Sequence, residues 1–135
     1  MTSWKSPTQP ELERAQSLLV TPEHCRYFFS ALRNPAWVGP LHERGLLQPA
    51  KTIREERGSR YPDWPAAPYL IRAAHDAAEE VARVVSEIDT DNPFVLLDMG
   101  RIAWALPAAS AGPVVRQIDQ LIRGGVELHA FAGGK

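Results

Sequence analysis

The sequence predicts an all-α fold, in which short antiparallel helix pairs stack in a row as an α-solenoid fragment. Three observations lead there. Apolar residues recur at offsets of three and four along most of the chain. Prolines number 12 in 135 residues, about 9% against a usual value near 5%. These prolines punctuate apolar periodic segments instead of replacing them, as many short helices with sharp junctions require. A row of helix pairs with no strand signal between them is the pattern of stacked helical repeats, each pair leaving an apolar side for its neighbour to cover.

The clearest stretch runs from Ala73 to Leu106. Its first arm carries Ala77, Val81, Val84, Val85 and Ile88 on one helical face, with Glu79, Glu80, Arg83 and Glu87 opposite. Its second arm carries Val95, Met99, Ile102 and Leu106. Asn92 suits the cap of that second arm and Pro93 its first position, where no amide donor is needed. The two arms read as a helical hairpin joined by Asp89-Thr90-Asp91-Asn92-Pro93.

In chain order, residues 1–7 read as a flexible lead. Thr8 and Pro10 open a helix through Leu12, Ala15, Leu18 and Leu19, with Glu11 and Glu13 acidic in its first turn. Thr21-Pro22-Glu23 is a second start signal, and Cys25, Phe28, Phe29 and Leu32 are the buried side of the helix that follows. Asn34-Pro35 is a third start, with Trp37, Val38 and Leu41 as the apolar edge. Pro40 keeps that helix short or bent, and Gly45 suits a left-handed end. Residues 46–64 break the pattern: Lys51, Arg54, Glu55, Glu56, Arg57 and Arg60 read as a long charged mobile loop, closed by Tyr61 and Trp64. Pro65 begins a helix with Tyr69, Leu70 and Ala73 facing in, and His75-Asp76 bends or breaks it. After a link at 108–113, Val114, Ile118, Leu121 and Ile122 mark a last helix that stops at Gly124-Gly125. A single helical domain is therefore expected over 8–123. The 124–135 tail fits a short strand, a frayed helix or the opening of a further helix.

Bulk properties bound the function. Hydrophobic residues are 44% and charged residues 23%, with a net charge of −1 and a pI of about 6.4. That balance argues against a basic nucleic-acid-binding surface as the main activity and leaves room for a local patch. The lone Cys25 forbids an internal disulfide. No apolar run approaches the roughly 20 residues that span a bilayer, and the N-terminus lacks the apolar core of a signal peptide. A soluble cytoplasmic protein with no membrane contact is expected.

No catalytic signature emerges. Asp89-x-Asp91-Asn92 resembles the opening of a calcium loop, yet Phe94 stands where glycine is needed and Gly100 where glutamate is needed. A turn and helix cap explain it better. His24, His42, His75 and His129 show no ligand spacing. Cys25 shares a stripe with phenylalanines, as a buried inert thiol does. Gly133-Gly134-Lys135 has the wrong spacing for a phosphate loop. No cofactor, metal or enzymatic activity is expected. Two features remain as candidate interaction residues. Arg54, Arg57 and Arg60, with Lys51, recur every third position and suit phosphate contact along one side of a strip. Trp64 is either a partner anchor or, more in keeping with its place, a pin for the charged segment. Trp37 and Trp104 fit helix stripes and are expected in the core.

Several junctions resemble a known group. Tyr27-Phe28-Phe29, Leu32, Asn34-Pro35, Trp37, Pro40-Leu41 and Gly45 resemble HEAT/armadillo-like helical regions near the N-termini of large bacterial multidomain proteins. Some of those carry ATPase or nuclease parts and suspected defence roles. Pro62-x-Trp64-Pro65, Tyr69-Leu70-x-Arg72, Thr90-Asp91-Asn92-Pro93-x-Val95 and Leu106-Pro107 extend the resemblance over residues 26–123. It implies a HEAT-like, non-catalytic scaffold or sensing domain that binds a protein partner, with a longer parent protein following Lys135. It implies no catalytic residues, and the 51–60 segment departs from it. Within the chain, Asn34-Pro35 and Asn92-Pro93 also resemble each other, each followed by a proline at the same distance (Pro49, Pro107). The alternative function is a nucleic-acid-associated adaptor contacting phosphates through 51–60.

Overall fold

The start signals set the helices. In the computed structural model, which describes residues 5–124, Thr8 caps α1 (Gln9–Leu18) with a reciprocal box. Thr8 Oγ1 accepts from the Glu11 amide at 3.3 Å, and the Glu11 carboxylate accepts from the Thr8 amide at 2.8 Å. Those bonds hold the Glu11 carboxyl below its ordinary pKa. Thr21 Oγ1 caps α2 (Pro22–Ala31) by accepting from the His24 amide at 3.1 Å. Asn34 opens a 3-10 turn (Pro35–Trp37) that runs directly into α3 (Val38–Glu43). Gly45, at φ +71°, ends α3 in a left-handed step that a side chain would strain. The Leu46 amide then reaches back to the Leu41 carbonyl and the Gly45 amide to the His42 carbonyl, a Schellman closure. The remaining helices are α4 (Ala67–Ala73), α5 (Ala78–Ser86), α6 (Pro93–Ala105) and α7 (Ala108–Arg123). Of the lead, residues 5–7 are described, and the Lys5 carbonyl accepts from Asn34 Nδ2 at 2.7 Å. The tail beyond Gly124 lies outside the described residues.

Helices pack mainly with their second neighbours. α2 lies against α4 and α4 against α6, while α3 lies against α5 and α5 against α7. Two rows result, tied together where α4 meets α5 and α6 meets α7. The expected apolar stripes fill the space between them. Val81, Val84, Val85 and Ile88 from the α5 stretch are fully buried, as are Met99 and Ile102 of α6 and Leu70 of α4. Each such side chain contributes about 1.5–3 kcal/mol on leaving water.

Four expectations are corrected. The fold is mostly helical but not all-α: the charged segment carries a hairpin of β1 (Ile53–Glu55) and β2 (Gly58–Arg60), paired antiparallel with Arg54 opposite Ser59. Gly58, at φ +130°, supplies the turn's left-handed step while Glu56 and Arg57 keep ordinary backbone angles. Second, the two arms of the 73–106 stretch do not close on each other. α7 takes the close approach to α5, and α6 sits against α7 and α4. Third, the 108–113 link is already helix, with Pro113 inside α7. The bond that Pro113 cannot donate falls on the exposed first turns, where a free carbonyl meets solvent. Fourth, the resemblance of Asn34-Pro35 to Asn92-Pro93 maps α3 onto α6, which stand in different rows. It reflects a shared junction chemistry.

Long-range polar bonds fix the rows at their ends. Tyr69 Oη donates to the Asn34 carbonyl at 2.7 Å, and burial pushes the phenol pKa well above its ordinary value, outweighing the opposing charge of Arg72. Arg72 Nη2 donates to the Phe29 and Leu32 carbonyls at the C-terminus of α2. Gln117 Nε2 of α7 donates to the Ile88 carbonyl at 2.5 Å, just past α5. Asn92 is fully buried. Its Oδ1 accepts from the Phe94 and Val95 amides at 2.9 and 3.4 Å, and its Nδ2 donates to the Pro62 carbonyl at 3.0 Å.

Two substitutions test this account. Val85→Asp places an unpaired charge at a fully enclosed position of α5 and is expected to cost more than about 4 kcal/mol. The cooperative thermal transition seen by circular dichroism should vanish. Asn92→Ala removes a cap and strands the Pro62 carbonyl, an expected loss of about 2 kcal/mol in urea unfolding. Asn34→Ala, at a less enclosed cap, should cost about 1 kcal/mol. Equal costs would mean that the enclosed Asn92 bond to Pro62 contributes no more than the exposed Asn34 bond to Lys5.

Candidate functional site

α6 is apolar on two opposite faces. Val95, Met99, Ile102 and Leu106 follow the inner face into the core. A helix turns about 100° per residue, so Phe94, Leu97, Arg101 and Trp104 fall on a second stripe across the axis. Among the described residues these stay largely open to solvent: Phe94 is 53% exposed, Leu97 47% and Trp104 92%. Trp104 makes no hydrogen bond or ring contact among the described residues. Its expected core position is therefore wrong. It lies two residues from both Ile102 and Leu106, which places it about 200° around the helix from the core stripe. Trp37 is half-buried instead of enclosed, edge-on to Phe28 with centroids 6.0 Å apart.

Beside this outer stripe, α2, α4 and α6 border an open groove of about 460 Å³. Trp64, Ala67, Ile71 and Val95 supply apolar wall, and Arg26, Asp63, Asp98 and Arg101 supply charge. Arg26 Nη1 lies 3.7 Å from Asp63 Oδ2, and Arg101 Nη1 lies 3.2 Å from Asp98 Oδ1. Partial burial raises the Asp98 pKa above the ordinary carboxylate range. Arg101 opposes that rise, and Asp63 adds to it. At one end of the groove the ring of Tyr61 tilts against Phe94, with centroids 6.0 Å apart.

Trp64 belongs to the wall of this groove and not to its outer surface. At 4% exposure it cannot serve as a surface anchor. Its Nε1 donates to the Leu47 carbonyl at 2.8 Å, so it pins the two ends of the charged segment together.

The arginines of 51–60 do not form one strip. Strand side chains alternate between faces, so Arg54 shares a face with Ser59, while Arg60 shares the other with Ile53 and Glu55. Arg54 pairs with Asp91 and donates to Ser59 Oγ at 2.6 Å. Arg60 pairs with Glu55. Arg57, in the turn, is exposed and makes no charge pair among the described residues. Thr52 Oγ1 also donates to Asp91 Oδ1 at 2.5 Å. The segment expected to be a mobile loop is docked on the link between α5 and α6. Lys51 and Thr52 border a second hollow of about 650 Å³ with Asp89, Asp91, Gln117 and Gln120.

Among the described residues, no group of three or more His, Cys, Asp or Glu side chains is placed to hold a metal ion. Cys25 is half-buried against the core, not fully enclosed. His42 Nε2 lies 3.0 Å from Glu87 Oε1, linking α3 to the end of α5. Among the described residues, no helix is long and apolar enough to cross a membrane. The chain matches no protein-family model, no curated protein and no solved structure.

The Asp98 shift has a definite sign. A carboxyl whose folded pKa lies above its unfolded value binds extra protons when folded, so stability falls as pH rises through that interval. Asp98→Asn should therefore raise the urea midpoint at pH 7 relative to the wild type. The gain should disappear in acid, where the carboxyl is protonated in both states. A variant less stable than wild type at pH 7 would show that the Arg101 pair outweighs the burial.

Proposed function

We propose that this chain is a non-catalytic helical scaffold that binds a protein partner through the outer face of α6. One observation carries the reading: Trp104 stands 92% exposed on a stripe that also presents Phe94 and Leu97. Large apolar side chains clustered on one helix face mark interaction sites, and tryptophan is the residue most often dominant in them. We further read the architecture as a short HEAT-like solenoid fragment. The packing of α2 on α4, α4 on α6, α3 on α5 and α5 on α7 supports this, because stacked helix pairs bring like helices together in that order.

Phosphate contact through 51–60 has less support. Arg54 and Arg60 already hold carboxylates, and only Lys51 and Arg57 remain for a phosphate.

A photo-crosslinking amino acid in place of Trp104 tests the proposal in intact cells that produce the protein. A discrete protein adduct is expected, lost when Leu97→Ser is added. Irradiation that yields no adduct at this position, or one that nuclease removes, would overturn the reading.

A further inference from the structure

α1 is held differently from the rest of the molecule. Among the described residues, each of α2 to α7 lies closely along another helix, and α1 does not. It encloses only two of its side chains, Leu12 and Ala15. Leu18 near its end and Val20 in the link to α2 stand exposed. Beside that end an apolar groove of about 470 Å³ stays open between Leu18 and one face of α2, formed by His24, Tyr27, Phe28, Ala31 and Leu32. The seam between the two helices is therefore only partly closed.

The remaining fastenings of α1 are polar and lie near water. Arg44, just past α3, donates to Gln9 Oε1 and Gln16 Oε1, and the Lys5 carbonyl accepts from Asn34 Nδ2. Water replaces such bonds readily, so each holds little. The caps are independent as well. α1 closes its own start through the box of Thr8 and Glu11, and Thr21 closes the start of α2 without help from α1. Residues 19–21 join the two helices as a short link.

From this we propose that α1 is a latch that opens on the 19–21 link while α2 to α7 stay folded. The seam it leaves has one occupant in the closed molecule, α1 itself. Opening withdraws Leu12 and Ala15 from the body and uncovers Phe28 and Leu32, which are half-buried beside Leu18. A segment with few enclosed contacts and solvent-exposed bonds opens at a lower cost than the whole domain. α5 is the opposite case: it encloses Val81, Ala82, Val84 and Val85 and lies along α3, α4 and α7. Once free, the ten residues of α1 are too few to hold a helix in water, so opening also releases their amides. The latch is separate from the outer face of α6 and stands whether or not that face binds a protein.

Hydrogen exchange of the intact chain at several low urea concentrations tests this. Amides of residues 13–17 in α1 should exchange at least tenfold faster than those inside α5. Their rate should barely respond to urea, while the α5 amides follow the steep slope of global unfolding. Thiol labelling with an aromatic disulfide gives a second reading. In a Cys25→Ala background, Ala15→Cys and Ala82→Cys place thiols at positions 3% and 6% exposed, so only opening admits the reagent. Position 15 should be modified at least tenfold faster than position 82. Exchange rates and urea slopes shared by α1 and α5 overturn the inference, because α1 then opens only with the whole domain. Equal labelling of folded chains at positions 15 and 82 overturns it too.

Discussion

A single buried amide ties the start of α6 to the foot of the charged hairpin. Asn92 has no exposure to solvent, so every hydrogen-bonding group it carries must find a partner inside the protein. Its oxygen closes the N-terminus of α6, its nitrogen holds the chain at Pro62 just after β2, and its own amide donates to Thr90 Oγ1 at 3.0 Å. The start of one helix and the root of the hairpin thus share one side chain. Pro93 follows it because the first helical position has no use for an amide hydrogen. Asp91, one residue earlier, holds Thr52 and Arg54, so consecutive residues tie both ends of the hairpin to the same link.

Packing of second neighbours gives the body its shape. α5 is the central element of its row, between α3 and α7. Its stripe of β-branched residues faces inward while Glu79, Glu80 and Arg83 stay near water. Helix starts were legible because each is a local event: Thr8, Thr21, Asn34 and Asn92 all cap as their side-chain chemistry requires. The inner stripes of α5 and α6 were legible for the same reason, since periodicity is a property of neighbouring residues. What periodicity could not convey was which stripe meets which. The α5 face suits α6 or α7 equally well on sequence pattern, and only the path of the chain decides it.

The hairpin and the outer face of α6 escaped the sequence reading for different physical reasons. Ile53–Glu55 and Gly58–Arg60 contain one β-branched residue between them, too little for a strand signal. Cross-strand pairing of Arg60 with Glu55 and docking on distant Asp91 supply what local preference lacks. Trp104 was within reach of helical arithmetic. The spacing that assigns Ile102 and Leu106 to the core assigns Trp104 to the far side, and position on the helix outweighs a tryptophan's hydrophobicity. Trp64 was open between two roles, and its bond to the Leu47 carbonyl is a contact between the ends of a long segment that no local pattern reveals.

The way the hairpin is fastened gives it two unlike ends. Its root is set in the core by Trp64 on Leu47 and by Asn92 on Pro62, both enclosed. Its strands meet the body through the half-exposed pair of Arg54 with Asp91, and a contact of that kind weakens as dissolved ions accumulate. The enclosed bonds at the root are little screened by dissolved ions, so added salt loosens the strands before it loosens the root. The projection behaves as a lever with a rigid fulcrum and a salt-sensitive catch.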